Sequence, residues 1–409
     1  MALILSVKYS YFRREALGVF RVVRELAVIT HEDFMLHEPP DSNPERPKRL
    51  ARALESLEKL SELLPKGRRV VFTKSPRASL SFFRIVHSSR YLERLRDMLR
   101  RGGATYIDSD TYISPGTRAA LERLAGASMK AVSYALSGKS SLVAARPPSH
   151  HAGFDGRARG SPSQGFCLVN ATAAIANVLA NHGGVAVVDF DAHHGNGTAE
   201  IFYSRSDVLH IDLHFDPRFV FPFTGRPSEI GAGGGEGTKL NIVFPMLAGD
   251  DIALDSLKLV DVALKSWSPD YVVVSAGFDS YRGDYDMVPS NIGTKFYYSL
   301  GRIIASRAKR AVVAVLEGGY GAGLERALQA FVLGLLGSKS YPWDPLTRSS
   351  RRAMREYLLF KLELLLHIYD KDKIEIPYHD KKVLSEISKA ILAGTRASSV
   401  LWRARKLTI

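Results

Sequence analysis

Five apolar runs in the chain end on residue types that bind metals or move protons. The central one, GVAVVDFDAHHGNGT (184–198), starts with a β-branched run at 185–188, the composition of a strand buried on both faces, and Gly195 and Gly197 stop it. If the extended conformation persists to His193, then Asp189, Asp191 and His193 point to one side, because side chains alternate along a strand with period two. Three ligand-type groups then converge at the carboxyl end of a parallel-type strand, where open α/β sheets place their sites. The plainer reading is a pair of solvated carboxylates in a turn. It gives way because four more runs end alike: 141–145 leads into His150 and His151, 208–214 carries Asp212, 271–278 ends on Asp279, and 311–316 runs into EGGYG with Tyr320. Imidazoles, carboxylates and a phenol gathered at one sheet end are the parts of metal-assisted, acid–base hydrolysis.

The elements that must carry these groups follow from pattern. AVITH (27–31) predicts a first core strand and EPPDSNPERP (38–47) a loop. The spacing of Leu50, Leu54, Leu57, Leu60 and Leu64 predicts an amphipathic helix over 48–64. VVFTK (70–74) predicts a second strand, 82–101 a helix stopped by Gly102 and Gly103, and 117–136 an alanine-rich helix. From Ser141 onward strands alternate with helical stretches at 171–180 and 199–204, the signature of a parallel sheet with helices on both faces. The expected fold is one large α/β domain over 27–337, between an N-terminal extension (1–26) and a C-terminal helical extension (338–409). In the latter, 349–369 and 382–392 read as amphipathic helices whose default role is to cover a sheet edge; pairing of two copies is another use open to them.

Composition narrows the classes. With 409 residues, 45% of them apolar and 24% charged, the chain can bury a sizeable soluble core. No apolar run approaches the roughly 18 residues of a membrane span, and MALILSV lacks a cleavage pattern, so neither membrane nor export is expected. Cys167 is the single cysteine, which excludes an internal disulfide and fits a reducing, cytoplasmic setting. The net charge of +14 favours anionic partners, yet no basic stretch is interleaved with aromatics, so it reads as background and no nucleic acid is expected. The glycines at 231–237 precede a strand-like run instead of a helix, which predicts a flexible loop at the site rim; GGYGAG (318–323) lacks the spacing of a dinucleotide-binding turn.

RPPSHHAG, GFCLVN, DFDAHHGNGT, SAGFDSYRGD and LEGGYG occur in this order and together resemble the histone deacetylase family, including the acetylpolyamine amidohydrolases and bacterial deacetylase-like amidohydrolases, over roughly residues 27–337. The resemblance implies an arginase/deacetylase-like fold with one zinc ion per chain, held by Asp191, His193 and Asp279 in the open three-ligand arrangement of catalytic zinc. It makes His151 the general base and then the acid, sets His150 beside it, and assigns Asp189 to orient His150 and Asn196 to orient His151. An amide partner should leave His151 less readily protonated than His150. Tyr320 would donate to the substrate carbonyl. Phe166 and Phe221 would wall an apolar channel, with Gly165 at its bottom and Asp110 at its rim.

The family also implies K+ or Na+ near the zinc. Asp189, Asp191, His193, Asp212 and Leu213 would form an inner site, and Phe202, Arg205 and Val208 an outer one. Here the chain departs from the pattern: a small hydroxyl residue is usual where Asp212 stands, and a carboxylate would strengthen cation binding or change the ion. His194 carries no ligand role, and His31, His37, His182 and His367 read as surface or core histidines.

The expected activity is removal of an acetyl group from an amine nitrogen, of an acetylated small amine or an acetyl-lysine protein, and HFDPRFVFPFTGRPSEIGAGGGEG (214–237) looks closer to the acetylpolyamine branch. A cationic substrate calls for acidity at the mouth, with Glu32, Asp33, Asp110, Glu229, Glu236, Asp284 and Asp286 as candidates. Two alternatives stand beside this reading. An arginase-like ureohydrolase with two manganese ions needs further Asp ligands near Asp279, where SAGFDSYRGD offers the more distant Asp284. A catalytically idle protein that binds acylated ligands or nucleic acid would not need the His pair and Tyr320.

Overall fold

The computed structural model describes residues 22–284, 287–338 and 343–368. Its centre is an eight-stranded, all-parallel sheet: β1 (Glu25–Thr30), β2 (Arg69–Lys74), β3 (Ser140–Val143), β4 (Val185–Asp189), β5 (Val208–Phe215), β6 (Lys239–Phe244), β7 (Tyr271–Ala276) and β8 (Ala311–Leu316). The spatial order is β6-β5-β4-β7-β8-β3-β1-β2. Strands β4 to β8 are buried at every residue, which is why they are written in valine, isoleucine and alanine. Each such side chain removed from water contributes roughly 1.5–3 kcal/mol. At the edge, β2 buries Val70 and exposes Val71.

Nine helices among the described residues complete the domain: α1 (Pro47–Leu63), α2 (Ser89–Arg101), α3 (Thr117–Leu136), α4 (Ala171–Ala180), α5 (Asn196–Phe202), α6 (Asp250–Trp267), α7 (Thr294–Arg307), α8 (Leu324–Leu335) and α9 (Arg351–Ile368). Packed against each other, α3 and α4 cover β3, β4, β7 and β8, while α6, α7, α8 and α1 follow one another in contact as a second layer. Helix α9 lies against the edge strand β6, with Tyr357 Oη and Lys361 Nζ both 3.1 Å from Asp255 Oδ2 of α6. The helix expected at 382–392, and most of the N-terminal extension, lie outside the described residues.

Two local expectations need correction. The stretch 82–101 is not one helix: a 3-10 turn (Leu80–Ile85) comes first, and α2 starts afresh where the Ser88 hydroxyl accepts the Tyr91 N–H at 3.1 Å. Strand β4 stops at Asp189, and the chain through His193 is a loop, so period-two alternation does not set the direction of Asp191 and His193.

The chain runs from β4 through β5 to β6 at one edge, and β7 then returns to the other side of β4. This reversal opens a crevice at the carboxyl ends of β4 and β7, the place where an open α/β sheet accepts a ligand.

Candidate active site

The loops leaving β3, β4, β7 and β8 close around a cavity of about 200 Å³, lined by His150, His151, Asp191, His193 and Tyr320 together with Asp110, Pro148, Gly165, Phe166, Phe221 and Met287. Asp191, His193 and Asp279 present donor atoms within 4.8 Å of one another, and all three are buried. His193 Nδ1 lies 3.0 Å from both Asp191 Oδ1 and Asp279 Oδ2. Backbone N–H groups fix the carboxylates: His193 N donates to Asp191 Oδ1 at 2.9 Å, Gly318 N to Asp191 Oδ2 at 2.8 Å, and Ala192 N to Asp279 Oδ1 at 2.8 Å. Gly318 must be glycine for this approach, because a Cβ there would stand 2.4 Å from Asp279 Oδ2 and 2.5 Å from Asp191 Oδ2.

Asp189 does not join this group. It ends β4 in register with Asp212 of β5, and its carboxylate clusters with His210 and Asp212 instead. The convergence of Asp189, Asp191 and His193 expected from strand alternation is therefore corrected, because the strand ends at Asp189, well short of His193.

Two carboxylates and one imidazole, buried and aimed at one point, fit a zinc-class divalent ion. Burial works against a charged His193, yet the Asp191 and Asp279 carboxylates hold its imidazole up at about 10. That demand for a positive charge between two buried carboxylates is the electrostatic form of a metal site.

The two histidines from the β3 loop differ in partner and in charge. Their rings are 4.0 Å apart. His150 Nδ1 is 2.9 Å from Asp189 Oδ2, and His151 Nδ1 is 2.8 Å from Asn196 Oδ1 at the start of α5. Burial opposes an imidazolium at His150, but Asp189 and Asp191, with Glu317 behind them, override it and hold the group well above its usual value. Burial also lifts the Asp189 carboxyl, to about 7, against the pull of His150, so the pair keeps a proton between them. His151 goes the other way: burial, then the charges of His150 and His193, push it well below its usual value. The two imidazoles are thus pushed in opposite directions, His150 toward its charged form and His151 toward its neutral one.

Tyr320 stands across the cavity, its ring 5.6 Å from that of Phe166 and under the Arg49 guanidinium at 4.7 Å. Arg49 of α1 donates to the carbonyls of Glu317 and Gly319, and Asp284 Oδ2 accepts the Tyr320 N–H at 2.5 Å. Desolvation keeps the phenol well above its ordinary range and hence protonated.

Of the channel residues, Gly165, Phe166, Phe221 and Asp110 all reach the cavity. The Phe221 ring meets that of His151 edge-on at 5.0 Å. Asp110 Oδ2 accepts from Ser163, and burial raises its carboxyl. Asp110 alone, among the described acids expected at the mouth, lines the cavity. Asp284 is buried beneath Tyr320, Glu32 pairs with Lys74, Asp33 with Arg77 and Arg123, and Asp286 lies outside the described residues. In the 231–237 loop Ala232 N donates to Tyr203 O at 3.1 Å, and the residues lining the cavity come from elsewhere.

The outer monovalent site expected from Phe202, Arg205 and Val208 is corrected by a residue the sequence did not single out. Lys239 is buried, and its Nζ donates to Val208 O at 3.0 Å, Arg205 O at 3.3 Å and Thr238 Oγ1 at 2.7 Å. An amino group of the chain sits where the mobile cation was expected. Leu213, assigned to the inner site, is fully buried in β5 with its side chain opposite that of Asp212.

Glu317 was also missed. Its carboxylate accepts from Ser149 N at 2.6 Å, Ser149 Oγ at 2.5 Å and His150 N at 3.2 Å, so it clamps the loop that carries the histidine pair. His210 and His214 were missed too, although the signal was there: with Asp212 they stand at period two in VLHIDLH, on one face of β5.

A parallel sheet with a buried carboxylate–imidazole centre and a histidine pair at its carboxyl end defines an α/β protein with a hydrolase-type site. The histone deacetylase domain model matches residues 43–335, and the chain belongs to this family. A probable deacetylase of Methanothermobacter thermautotrophicus is 37% identical over 323 residues, covering 77% of this chain and 92% of that protein. Among solved structures, the HDA15 HD domain superposes with a TM-score of 0.71 at 28% identity over 85% of this chain and 96% of that one. The acetylpolyamine aminohydrolase of Burkholderia pseudomallei gives 0.67 at 27% identity, over 76% and 99%. Membership supports a deacetylase, an amidohydrolase acting on acetyl amides. No helix among the described residues is long and apolar enough to cross a membrane.

Proposed function

We infer that the protein hydrolyses the amide of an N-acetylated amine, either a small acetylated polyamine or an acetyl-lysine side chain, with one zinc-class ion held by Asp191, His193 and Asp279. The observation that carries this reading is the shared cavity, in which a base-competent His151 and a protonated Tyr320 flank the buried ligand triad. When bound, the ion supplies Lewis-acid polarisation of the amide carbonyl and lowers the pKa of water. His151 Nε2 takes the proton of the attacking water as general base and returns it to the departing amine as general acid. Its Nδ1–H is committed to Asn196, which holds the ring in the tautomer this transfer needs. His150, charged against Asp189, keeps His151 from protonating early and favours the anionic tetrahedral species.

Tyr320, its phenol still protonated, donates a hydrogen bond to the substrate oxygen as charge builds there. Phe166 and Phe221 hold the apolar methylene chain, with Gly165 at the bottom, and Asp110 serves an amine or amide N–H at the mouth. The catalytic unit is read as 27–337, with the terminal stretches as additions of this chain and a cytoplasmic setting suited to its single cysteine. The test is a turnover comparison of acetylated polyamines and acetyl-lysine peptides by the zinc-loaded full chain. Turnover of either class supports the reading; urea production from guanidino substrates with two manganese ions bound would replace it.

A further inference from the structure

One buried carboxylate that the proposed reaction leaves unused stands where the two walls of the catalytic cavity meet. Glu317 directly follows the last residue of β8 and is fully buried, a position in which a carboxylate is costly unless its oxygens are filled. They are filled by groups of the base loop and of α4. Oε2 accepts the Ser149 N–H at 2.6 Å and the His150 N–H at 3.2 Å. Oε1 accepts the Ser149 hydroxyl at 2.5 Å and the hydroxyl of Thr172, from the first turn of α4, at 3.2 Å.

The backbone of the same residue belongs to the opposite wall. Glu317 leads through Gly318 and Gly319 into Tyr320, and Gly318 N donates to Asp191 Oδ2 at 2.8 Å. The Glu317 carbonyl accepts from the Arg49 guanidinium, which also donates to Gly319 O at 2.9 Å. Glu317 N donates to Ala276 O of β7 at 3.0 Å, so the residue is itself tied to the sheet. On its far side the base loop is held by α5, where Thr198 N donates to His150 O at 3.1 Å. The Glu317 side chain is thus a direct tie between the loop that carries His150 and His151 and the loop that carries Tyr320.

We propose that Glu317 is a positioning residue that holds the base, His151, in register with the oxyanion donor, Tyr320, through the reach of its side chain and not through its charge. The inference rests on the acetyl-amide reading of the cavity, which gives those two groups their roles. Charge at His150 comes mainly from elsewhere: Asp189, at 2.9 Å, and Asp191 act on that imidazole ahead of Glu317. What Glu317 adds is a pair of acceptors matched to two backbone N–H groups and two hydroxyls. A glutamine side chain fills the same places, with its oxygen accepting both N–H groups and its nitrogen donating to the hydroxyls, which can accept as well as donate. An aspartate side chain keeps the charge and falls one methylene short. A misplacement of about 1 Å at a reacting group can cost about 10²-fold in rate.

The test compares Glu317→Gln, Glu317→Asp and Glu317→Ala with the wild type, as zinc-loaded full chains whose folding is checked by circular dichroism. Hydrogen–deuterium exchange of the 144–153 segment reads the clamp without any turnover. Glu317→Gln should match the wild type in exchange and keep kcat within about fivefold, whereas Glu317→Asp and Glu317→Ala should exchange faster there and lose about 10²-fold in kcat, with KM and zinc content nearly unchanged. Whichever of the two shortened variants folds carries the comparison. A Glu317→Gln protein as slow as the shortened variants would show that the charge matters and not the reach, and a shortened variant with wild-type kcat and exchange would show that Glu317 positions nothing. Either result overturns the proposal. A wild type that turns over no acetylated amine would count instead against the proposed function, and exchange alone would then decide the clamp: equal protection in every variant overturns it.

Discussion

His151 Nδ1 lies 2.8 Å from Asn196 Oδ1, and that amide oxygen can only accept. The hydrogen must therefore sit on Nδ1, which leaves Nε2 as the basic atom turned to the cavity. Burial, then the neighbouring His150 and His193 imidazoles, push this base well below its usual value, so the limb of the pH profile that it controls lies on the acid side. Asn196→Asp sets a carboxylate against the same ring and favours its charged form. The acid limb of kcat/KM is expected to move up by about one pH unit or more. A profile identical to the wild type would show that another group limits the reaction.

Tyr320 has its backbone N–H fixed by Asp284 and its ring held between Phe166 and Arg49, so removing the hydroxyl should disturb little else. Tyr320→Phe is expected to lower kcat by about 10²–10³ with KM nearly unchanged. Steady-state kinetics on an acetylated substrate checks this. A matching rise in KM with kcat intact would mean that the phenol binds ground state and transition state alike.

Outside the cavity, His87 is held between two backbone groups: Nδ1 is 2.8 Å from Gly153 O, and Nε2 accepts the Asn170 N–H at 2.8 Å. Only the neutral ring satisfies both, and burial pulls its pKa from 6.5 to about 4. The unfolded chain therefore takes up the proton first. This contribution to stability is full above pH 6.5 and is lost as pH falls from there through about 4, by which point the loss amounts to about 3 kcal/mol. Urea unfolding at several pH values should show His87→Gln losing less stability than the wild type over that window, and equal losses would refute the assignment.

Lys239 offers a further check, because its Nζ serves the Arg205 and Val208 carbonyls. Lys239→Met removes the donor shared by these two carbonyls and Thr238 Oγ1 and is expected to destabilise the protein by about 1–3 kcal/mol. Potassium chloride, compared with choline chloride, should recover part of that loss in the variant and little in the wild type. Equal responses would show that the lysine does not stand in for a cation.

The sheet was legible because its strands are continuous apolar runs, buried at every residue, that end on polar clusters. Strand alternation would have grouped His210, Asp212 and His214, which lie within β5, but it was applied to Asp191 and His193, which lie past the end of β4, and fails there. Loop geometry depends on anchors distant in sequence: Gly318 N and Ala192 N fix the ligand carboxylates, and Glu317 fixes the histidine loop from 167 residues away. Lys239 hid for the opposite reason. One lysine at the start of an apolar strand reads as a solvated end, and its three acceptors are visible only once β5 and β6 are side by side.

The most direct measurement is acetate release by the metal-replete full chain beside a His151→Ala protein of equal metal content. Acetate and free amine should appear in equal amounts from an acetylated polyamine or an acetyl-lysine peptide with the wild type, and from neither with the variant. A folded, metal-loaded wild type that releases no acetate from either, or a His151→Ala protein that works as well, would contradict the assignment of this cavity as a deacetylase centre.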